Sequence, residues 1–288
     1  MRAALIACLL SAASPAFAQT ASTTGATPPA RVMSIVAEVA PQWATPTPWD
    51  YDEITDSTAV SLTLTAKPKI SDAVEVELSA GPKATLDDDH DNPGGAESAF
   101  GFGATVRVPA SLGLKLFGSA AYDKRFTNFF DEGNGSKRTV SAGLEFGYDI
   151  PRSAANKKVP RLSASAALGL VNATDDAVDH SFAQLKTGFG IPLWWFGKFD
   201  VEANGARRWL EHANATAGFK ERRTEWGASI GVNFARGVMV WTGGNPDDNP
   251  WLRKFKIGYN FFKRESNIPG ADKTSSSPSL SLAIGQDF

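Results

Sequence analysis

Apolar side chains recur at every second position through most of this chain, which constrains its fold more than any other feature. Residues 60–66, 100–108, 140–148, 162–170 and 226–234 all follow this two-residue period. In a β-strand, successive side chains point to opposite faces. Each segment therefore has one apolar face, and its other face carries Gly, Ser, Thr and scattered charge. The sequence predicts an all-β protein.

The length and order of these segments favour a membrane-spanning barrel over a secreted β-sandwich. Most segments extend over roughly 9–12 residues, the length that a tilted strand needs to cross a bilayer. Strands of a soluble sandwich usually have about 5–6 residues. No stretch after residue 18 approaches 18 continuous apolar residues, so no transmembrane helix is expected. A soluble periplasmic β-protein is the alternative, but it would show Lys and Glu on its outer face.

The connections alternate between short turns and longer polar loops, as they do in transmembrane antiparallel up-and-down β-barrels. Long loops are predicted at residues 41–57, 81–96, 127–136, 172–179, 211–220 and 265–277. Counting residues 32–40 as the first strand gives about twelve strands over residues 32–288 and places both termini in the periplasm. The region 236–251 is ambiguous, because a separate strand at residues 237–242 would change this count.

The N-terminal residues have the pattern of a cleaved signal peptide. Arg2 precedes the apolar residues 3–10, and Ala16-Phe17-Ala18 forms a small-residue cleavage site. Residues 1–18 are therefore predicted to be a leader for export, and residues 19–31, rich in Thr, Ala, Pro and Gly, to be a disordered periplasmic segment.

Cys8 is the only cysteine and lies within this leader. Cleavage before Cys8, as in a lipoprotein, would leave a leader that is far too short. The mature chain therefore has no cysteine for a disulfide or a metal site.

The last strand has an apolar face formed by Leu280, Leu282, Ile284 and Phe288. It resembles the terminal strand of Gram-negative outer-membrane β-barrels, in which a C-terminal Phe on an alternating strand is the usual assembly signal. The resemblance implies an outer-membrane location, with membrane lipid and the barrel-assembly machinery as partners. Gln286 departs from the pattern, which more often has Tyr or another apolar residue there.

A second resemblance covers about a tenth of the chain, around Arg264-Glu265-Ser266-Asn267 and Gly270. This stretch, with the strand after it, resembles the final hairpin of outer-membrane barrel families linked to exopolysaccharide or surface-protein export. It lacks the Tyr usually found after the loop, and no periplasmic helical-repeat domain accompanies it. The resemblance supports barrel membership and implies an export-accessory role as one alternative function.

The face opposite the apolar one is predicted to line the lumen, with charges of opposite sign on neighbouring strands. We expect Glu75 and Glu77 beside Arg107, Lys115 beside Glu145, Lys186 beside Asp200 and Glu202, and Glu225 beside Lys254 and Lys256. The predicted lumen-facing charged residues are Glu75, Glu77, Arg107, Lys115, Glu145, Arg161, Lys186, Asp200, Glu202, Glu225, Lys254 and Lys256. Such a wall is either a charge-paired structural surface or a selective pathway for ions or sugars. A strongly anion-selective pore would need a ring or ladder of charges of one sign, which the sequence does not show.

A lipid-acting hydrolase is the remaining class to weigh, because some barrels of this size are enzymes. Such enzymes need a His near a Ser nucleophile. Only His180, beside Ser181 at a strand start, comes into question, and adjacent residues of a strand point to opposite faces. The His-x-Ser-Asn signature of those enzymes is also missing.

We therefore expect no enzyme and no cofactor. The acidic run at residues 87–92 lacks the order of an EF-hand, so no metal site is expected. The net charge of −2 gives no reason to expect a nucleic-acid partner. The first hypothesis is a passive, porin-like channel for small hydrophilic solutes. A closed structural or export-accessory barrel acting through its loops is the alternative, and the hydrolase is third. The solute, the openness of the lumen and the oligomeric state stay open.

Overall fold

The computed structural model describes residues 33–46, 54–71, 73–87, 96–128, 131–150, 159–174, 179–193, 195–214, 219–246, 250–270 and 272–288. Antiparallel strands account for most of these residues. In chain order they are β1 (Met33–Pro46), β2 (Ile54–Ala66), β3 (Lys69–Ser71), β4 (Val74–Asp87), β5 (Ala96–Pro109), β6 (Leu114–Asn128), β7 (Asp131–Asp149), β8 (Arg161–Ala173), β9 (His180–Leu193), β10 (Gly197–Asn214), β11 (Phe219–Asn233), β12 (Leu252–Ser266) and β13 (Lys273–Asp287). A short helix, α1 (Ala235–Trp241), lies between β11 and β12.

Twelve long strands close into a barrel. Each is hydrogen-bonded to its chain neighbours, β2 pairs with β4, and β1 pairs with β13 to complete the ring. The three-residue β3 adds only to the beginning of β4. Closure gives every long strand two hydrogen-bonded neighbours, as a membrane-spanning sheet requires, and the β1–β13 pairing extends over residues 34–39 and 282–287. The prediction of an up-and-down barrel of about twelve strands is confirmed.

Both ends of the described chain lie at the same end of the barrel, which we call the proximal end. Ser34 aligns with Asp287 across the β1–β13 seam. The backbone N–H of Phe288 donates to the carbonyl of Met33 at 2.8 Å. The opposite end, where β1 continues into β2, is the distal end.

The outward face of the barrel is apolar along every long strand. Its side chains include Leu64, Phe102, Val140, Leu168, Leu185, Trp226, Ile230, Ile257 and Leu280, all of them more than one-third exposed. A continuous apolar surface of this kind requires lipid around it, because a soluble protein rarely exposes such an area. The predicted apolar files are therefore the lipid-facing files.

The strands are longer than the alternation indicated. They contain 13 to 19 residues, and β6 and β7 leave only two residues between them where a loop over 127–136 was expected. A 15-residue strand spans roughly 50 Å, more than a tilted strand needs to cross the hydrocarbon core. A strand end beyond the bilayer needs no apolar face. Residues 131–138 accordingly show no apolar alternation in the sequence, and their pattern is that of a loop.

The ambiguous region 236–251 contains no strand among its described residues. Val238 and Val240, whose spacing suggested a strand, belong to α1. Ala235 and Met239 are four residues apart and face the same side, where they pack with Leu252. A run of seven residues is too short for sequence periodicity to separate the two structures.

Helix α1 lies against the outer wall of the barrel at its proximal end. Val238 of the helix and Phe255, Leu282 and Ile284 of the outward-facing files all pack against the buried group formed by Ala235, Met239 and Leu252. Leu280, farther from the helix, is 51% exposed, whereas Leu282 and Ile284 are half-buried. The helix therefore covers part of the outer face of the last two strands.

The predicted leader (1–18) and the segment 19–31 lie outside the described residues, as do residues 88–92 of the acidic run. Among the described residues, no helix is long and apolar enough to cross a membrane.

Candidate functional site in the barrel lumen

A cavity of about 910 Å³ occupies the lumen along β6 to β12. It runs from Gly113 and Gly190 near the proximal end to Arg208 and Glu225 farther inside. Seven of the predicted lumen residues line it, namely Lys115, Glu145, Arg161, Lys186, Asp200, Glu202 and Glu225. Uncharged polar side chains, including Ser163, Ser165, Gln184, Asn204 and Ser229, line the rest.

A second cavity of about 460 Å³ lies at the proximal end beside β3 and β4. Glu75, Glu77, Arg107 and Lys115 line it, together with Lys67 and Lys69 of the β2–β4 connection. Lys115 contributes to both cavities, so the two spaces adjoin at this side chain.

Two interlocked ion pairs cross the wall between β4 and β7. The ammonium of Lys115 lies 2.7 Å from Glu75, and Nε of Arg107 lies 2.9 Å from Glu145. Arg107 also reaches Glu77 at 3.6 Å. Lys115 and Glu145 are aligned across β6 and β7, but they do not pair as expected. Long side chains in a lumen can reach over a neighbouring strand, so alignment does not determine the ion pair.

Glu225 does not lie beside Lys254 or Lys256, contrary to the prediction. Its carboxylate accepts a hydrogen bond from Nε of Arg208 at 2.7 Å and lies 3.6 Å from Nε of Arg264. The register gives the reason, because Glu225 aligns with Arg264 whereas Lys256 aligns with the proximal end of β11. The predicted pairing ignored this offset along the antiparallel strands.

The Glu225 interactions belong to a buried group of polar side chains, which we call the distal cluster. Its members are His180, Arg208, Glu221, Arg223, Glu225, Arg264 and Ser266. Nη1 of Arg208 is 2.9 Å from Nε2 of His180, Arg223 donates to Glu221, and the hydroxyl of Ser266 donates to Glu221 at 2.6 Å. Arg223, Arg264 and Glu221 are each 1% exposed, so this part of the lumen is tightly filled.

Sequence reasoning missed most of the distal cluster, although a signal for it exists. Glu221 and Arg223 have the same strand parity as Glu225, so all three point inward from β11. The sequence predicts a loop at residues 211–220 and an apolar file that begins at residue 226, so the residues between them show no apolar repeat that would extend the strand.

Lys254 and Lys256 occupy the proximal part of the lumen. Lys254 lies 2.7 Å from Glu38, and this ion pair joins β12 to β1 across β13. Lys256 extends over Gly231, where a side chain on the glycine would contact Cε of the lysine. Neither lysine lines the larger cavity.

The wall formed by β8 to β10 has a different arrangement from the one predicted. Asp200 pairs with Lys198 at 2.7 Å and Arg161 lies 3.7 Å from Asp149. Lys186 therefore does not pair with Asp200. Neither Lys186 nor Glu202 forms an ion pair or hydrogen bond through its side chain with the described residues. Both are exposed to the space inside the barrel.

Exposure of the inward side chains thus changes along the barrel axis. Lys186 and Glu202 are accessible in the proximal half, whereas five of the seven residues of the distal cluster are buried and the other two, Arg208 and Ser266, are half-buried. On the side formed by β8 to β12, the lumen is wide at its proximal end and filled toward its distal end.

Comparison with known proteins agrees with the fold. No protein-family model and no curated protein sequence matches the chain. An outer-membrane channel from Pseudomonas putida F1 is similar in structure, with a TM-score of 0.50 and 10% identity over 94% of this chain and 100% of that one. LpxR from Salmonella typhimurium has a TM-score of 0.46 and 10% identity over 88% of this chain and 100% of that one. The translocator domain of the autotransporter NalP from Neisseria meningitidis has a TM-score of 0.45 and 10% identity over 100% of this chain and 96% of that one.

The chain has the fold of an outer-membrane β-barrel. At 10% identity the likeness to the Pseudomonas channel shows this fold and carries no activity over to this chain. The closed ring of twelve strands and its apolar outer surface agree with a barrel that crosses a membrane.

The barrel does not place its described histidine as a hydrolytic base. His180 is 3% exposed and hydrogen-bonds to Arg208 inside the lumen, whereas Ser181 follows it on the lipid-facing side of β9. His90 lies outside the described residues, as does the side chain of His212. Within the described part of the chain, no group of His, Cys, Asp or Glu is arranged to hold a metal ion.

Proposed function

We propose that the protein is a passive channel for small hydrophilic solutes, with its proximal end in the periplasm. The observation that carries this proposal is the cavity of about 910 Å³ inside the barrel, whose wall is polar and charged. An apolar or dry interior would not keep Lys186 and Glu202 accessible, because ionised side chains are stable there only with water or a partner.

The ion pairs of the wall support a channel that distinguishes only weakly between anions and cations. Lys115 and Arg107 neutralise Glu75 and Glu145, and Lys198 neutralises Asp200. A strongly selective pore would place unpaired charges of one sign around its path. The distal cluster narrows one side of the path, so the channel is expected to admit small solutes only.

Single-channel recording in a planar lipid bilayer tests the proposal. The folded protein should give small, discrete conductance steps in KCl. Ser165→Trp, which adds bulk to the cavity wall, should lower the step size. Leu168→Trp on the outward face of the same strand is the matched control and should leave the step size unchanged. Folded protein that inserts but gives no steps would overturn the channel.

A closed barrel acting through its distal loops is the second candidate, and the distal cluster favours it. Arg223 and Arg264 are 1% exposed, so this part of the interior is packed as tightly as a protein core. If the packing continues around the whole ring, no path remains. The bilayer recording separates the two candidates, since a closed barrel conducts neither before nor after Ser165→Trp.

A further inference from the structure

Two charged side chains in the cavity wall differ from their neighbours. Lys115, Glu145, Arg161, Asp200 and Glu225 each form an ion pair with another side chain. Lys186 and Glu202 line the same cavity and pair with nothing in the described part of the chain. They carry opposite charges and lie on adjacent strands.

The register places Lys186 and Glu202 close to each other on the cavity wall. Lys186 aligns with Asn204, and Glu202 aligns with Gly188, so the lysine and the glutamate are diagonal neighbours on β9 and β10. Diagonal neighbours on one face are about 7–8 Å apart. Gly188 has no side chain, and the position that its Cβ would occupy lies 2.7 Å from the hydroxyl of Ser163 and 3.8 Å from Cγ of Glu202.

Uncharged polar groups surround the pair. Ser165 aligns with Lys186 from the other side, on β8, and Asn204 and Gln184 also line the cavity. These side chains can hydrogen-bond a solute without adding charge. The wall therefore offers one cation and one anion, both accessible, on a polar and otherwise charge-balanced surface.

We propose that Lys186 and Glu202 form a subsite for small zwitterions such as free amino acids, and this inference rests on the proposed channel. The carboxylate of the solute lies at the ammonium of Lys186, and its ammonium lies at the carboxylate of Glu202. Neither contact requires an existing ion pair to break, whereas binding at Lys115 or Lys198 would separate it from Glu75 or Asp200.

The arrangement also discriminates against other classes of solute. A small anion that is attracted by Lys186 is repelled by Glu202. A small cation that is attracted by Glu202 is repelled by Lys186. An uncharged solute gains neither attraction. Only a solute that carries both charges within a few ångströms interacts favourably with both side chains.

Flux into proteoliposomes tests the subsite with two isomeric probes, alanine, a zwitterion, and lactamide, which is uncharged. Both have the same composition and nearly the same size, so diffusion through a pore without a binding site gives equal fluxes of the two probes. We expect alanine to enter faster at low concentration and its flux to saturate. Lys186→Gln and Glu202→Gln should each reduce the ratio of alanine flux to lactamide flux by about two- to fivefold, since exposed ion pairs are weak.

Two further variants make the result specific to this pair. Lys256→Gln removes an inward lysine that does not line the larger cavity and should keep the wild-type ratio. The exchange Lys186→Glu with Glu202→Lys keeps both charges and should restore the preference. Heat-modifiable gel mobility reports for each variant that the barrel is folded.

The possible failures are distinguishable. Steps in KCl together with equal fluxes of alanine and lactamide would overturn the subsite and leave the channel standing. A preference for alanine that survives both single substitutions would also overturn it, because the selectivity would then lie elsewhere. Absence of conductance and of both fluxes would overturn the channel and the subsite with it.

Discussion

Lys115 lies where the two lumen cavities adjoin, which makes it the most informative single residue of the wall. Its partner Glu75 is half exposed, and the lysine itself is about one-third exposed. Replacing Lys115 with Glu would therefore set two carboxylates against each other in water. We expect a loss of stability of roughly 1 kcal/mol or less, because exposed ion pairs contribute little.

The same Lys115→Glu substitution should move the ion preference toward cations, since it adds negative charge to the conducting path. Charges are screened over about 8 Å at physiological ionic strength, so the shift should be clearer at low salt. Reversal potentials in a KCl gradient measure it. Lys263→Glu makes the same change on the outward face of β12 and should leave the reversal potential unaltered. An unchanged potential for Lys115→Glu would mean that ions do not pass this residue.

Ten of the twelve charged residues that strand parity predicted to face the lumen line the two cavities, but Lys254 and Lys256 line neither cavity. Of the predicted charge pairs, Glu77 with Arg107 is the one that forms an ion pair among the described residues. Parity follows from the two-residue repeat of a strand, which is local.

Partner choice depends on register, on strand tilt and on side chains long enough to pass over a strand. Glu225 shows the consequence, because its partners Arg208 and Arg264 come from two different neighbouring strands. Parity likewise does not show that Lys186 and Glu202 lack ion-pair partners among the described residues, because this depends on which partners their charged neighbours take.

At the scale of the elements, the packing of α1 on the barrel depends on a close approach at Gly237. The amide of Gly237 donates to the carbonyl of Phe196 at 3.0 Å, and a Cβ on this glycine would lie 2.6 Å from the same oxygen. Gly237→Val should therefore displace the helix from Phe255 and Leu282. We expect a cost of roughly 1–3 kcal/mol, the usual range for overpacking, measured as a lower melting temperature in detergent.

The barrel itself should still close in Gly237→Val, because α1 covers outward apolar residues that lipid or detergent can cover instead. Displacement of the helix should increase trypsin cleavage after Arg236. Gly118→Val on β6 is the matched control, since a Cβ there meets nothing within 4 Å. Equal melting temperatures and equal cleavage for the two variants would contradict the packing of α1 on the wall.

For the whole molecule, the length of the alternating segments was enough to predict a twelve-strand barrel, because a bilayer demands an apolar face on every strand. Beyond the bilayer that demand ends. The distal strand ends therefore lack the apolar repeat, and only the shared parity of Glu221, Arg223 and Glu225 indicates a strand there. Helix α1 is too short to show its period. The alternation of apolar residues is present in the sequence only where a strand contacts the hydrocarbon of the bilayer.

Closure of the ring depends on the seam between β1 and β13, to which the last residue contributes directly. Phe288 exchanges backbone hydrogen bonds with Met33, and its side chain is 54% exposed on the outside. Asp287 points inward and pairs with Arg253 at 2.9 Å. We expect deletion of Phe288 to lower the amount of folded barrel far more than Asp287→Ala, because the deletion removes both the seam contact and the predicted assembly signal.

Heat-modifiable mobility of outer-membrane fractions measures the folded amount, since a closed barrel resists detergent until it is boiled. Phe288→Ala separates the two contributions, because it keeps the backbone hydrogen bonds to Met33 and removes only the aromatic ring. The assembly machinery is predicted to recognise the aromatic ring together with the outward residues Leu280, Leu282 and Ile284. Phe288→Ala should then lower the amount of folded barrel in cells as much as the deletion does. The same variant should nevertheless refold in detergent like the unaltered protein, where no assembly machinery is present. Equal folded amounts in cells for Phe288→Ala and Asp287→Ala would show that the C-terminal aromatic is not a signal in this barrel.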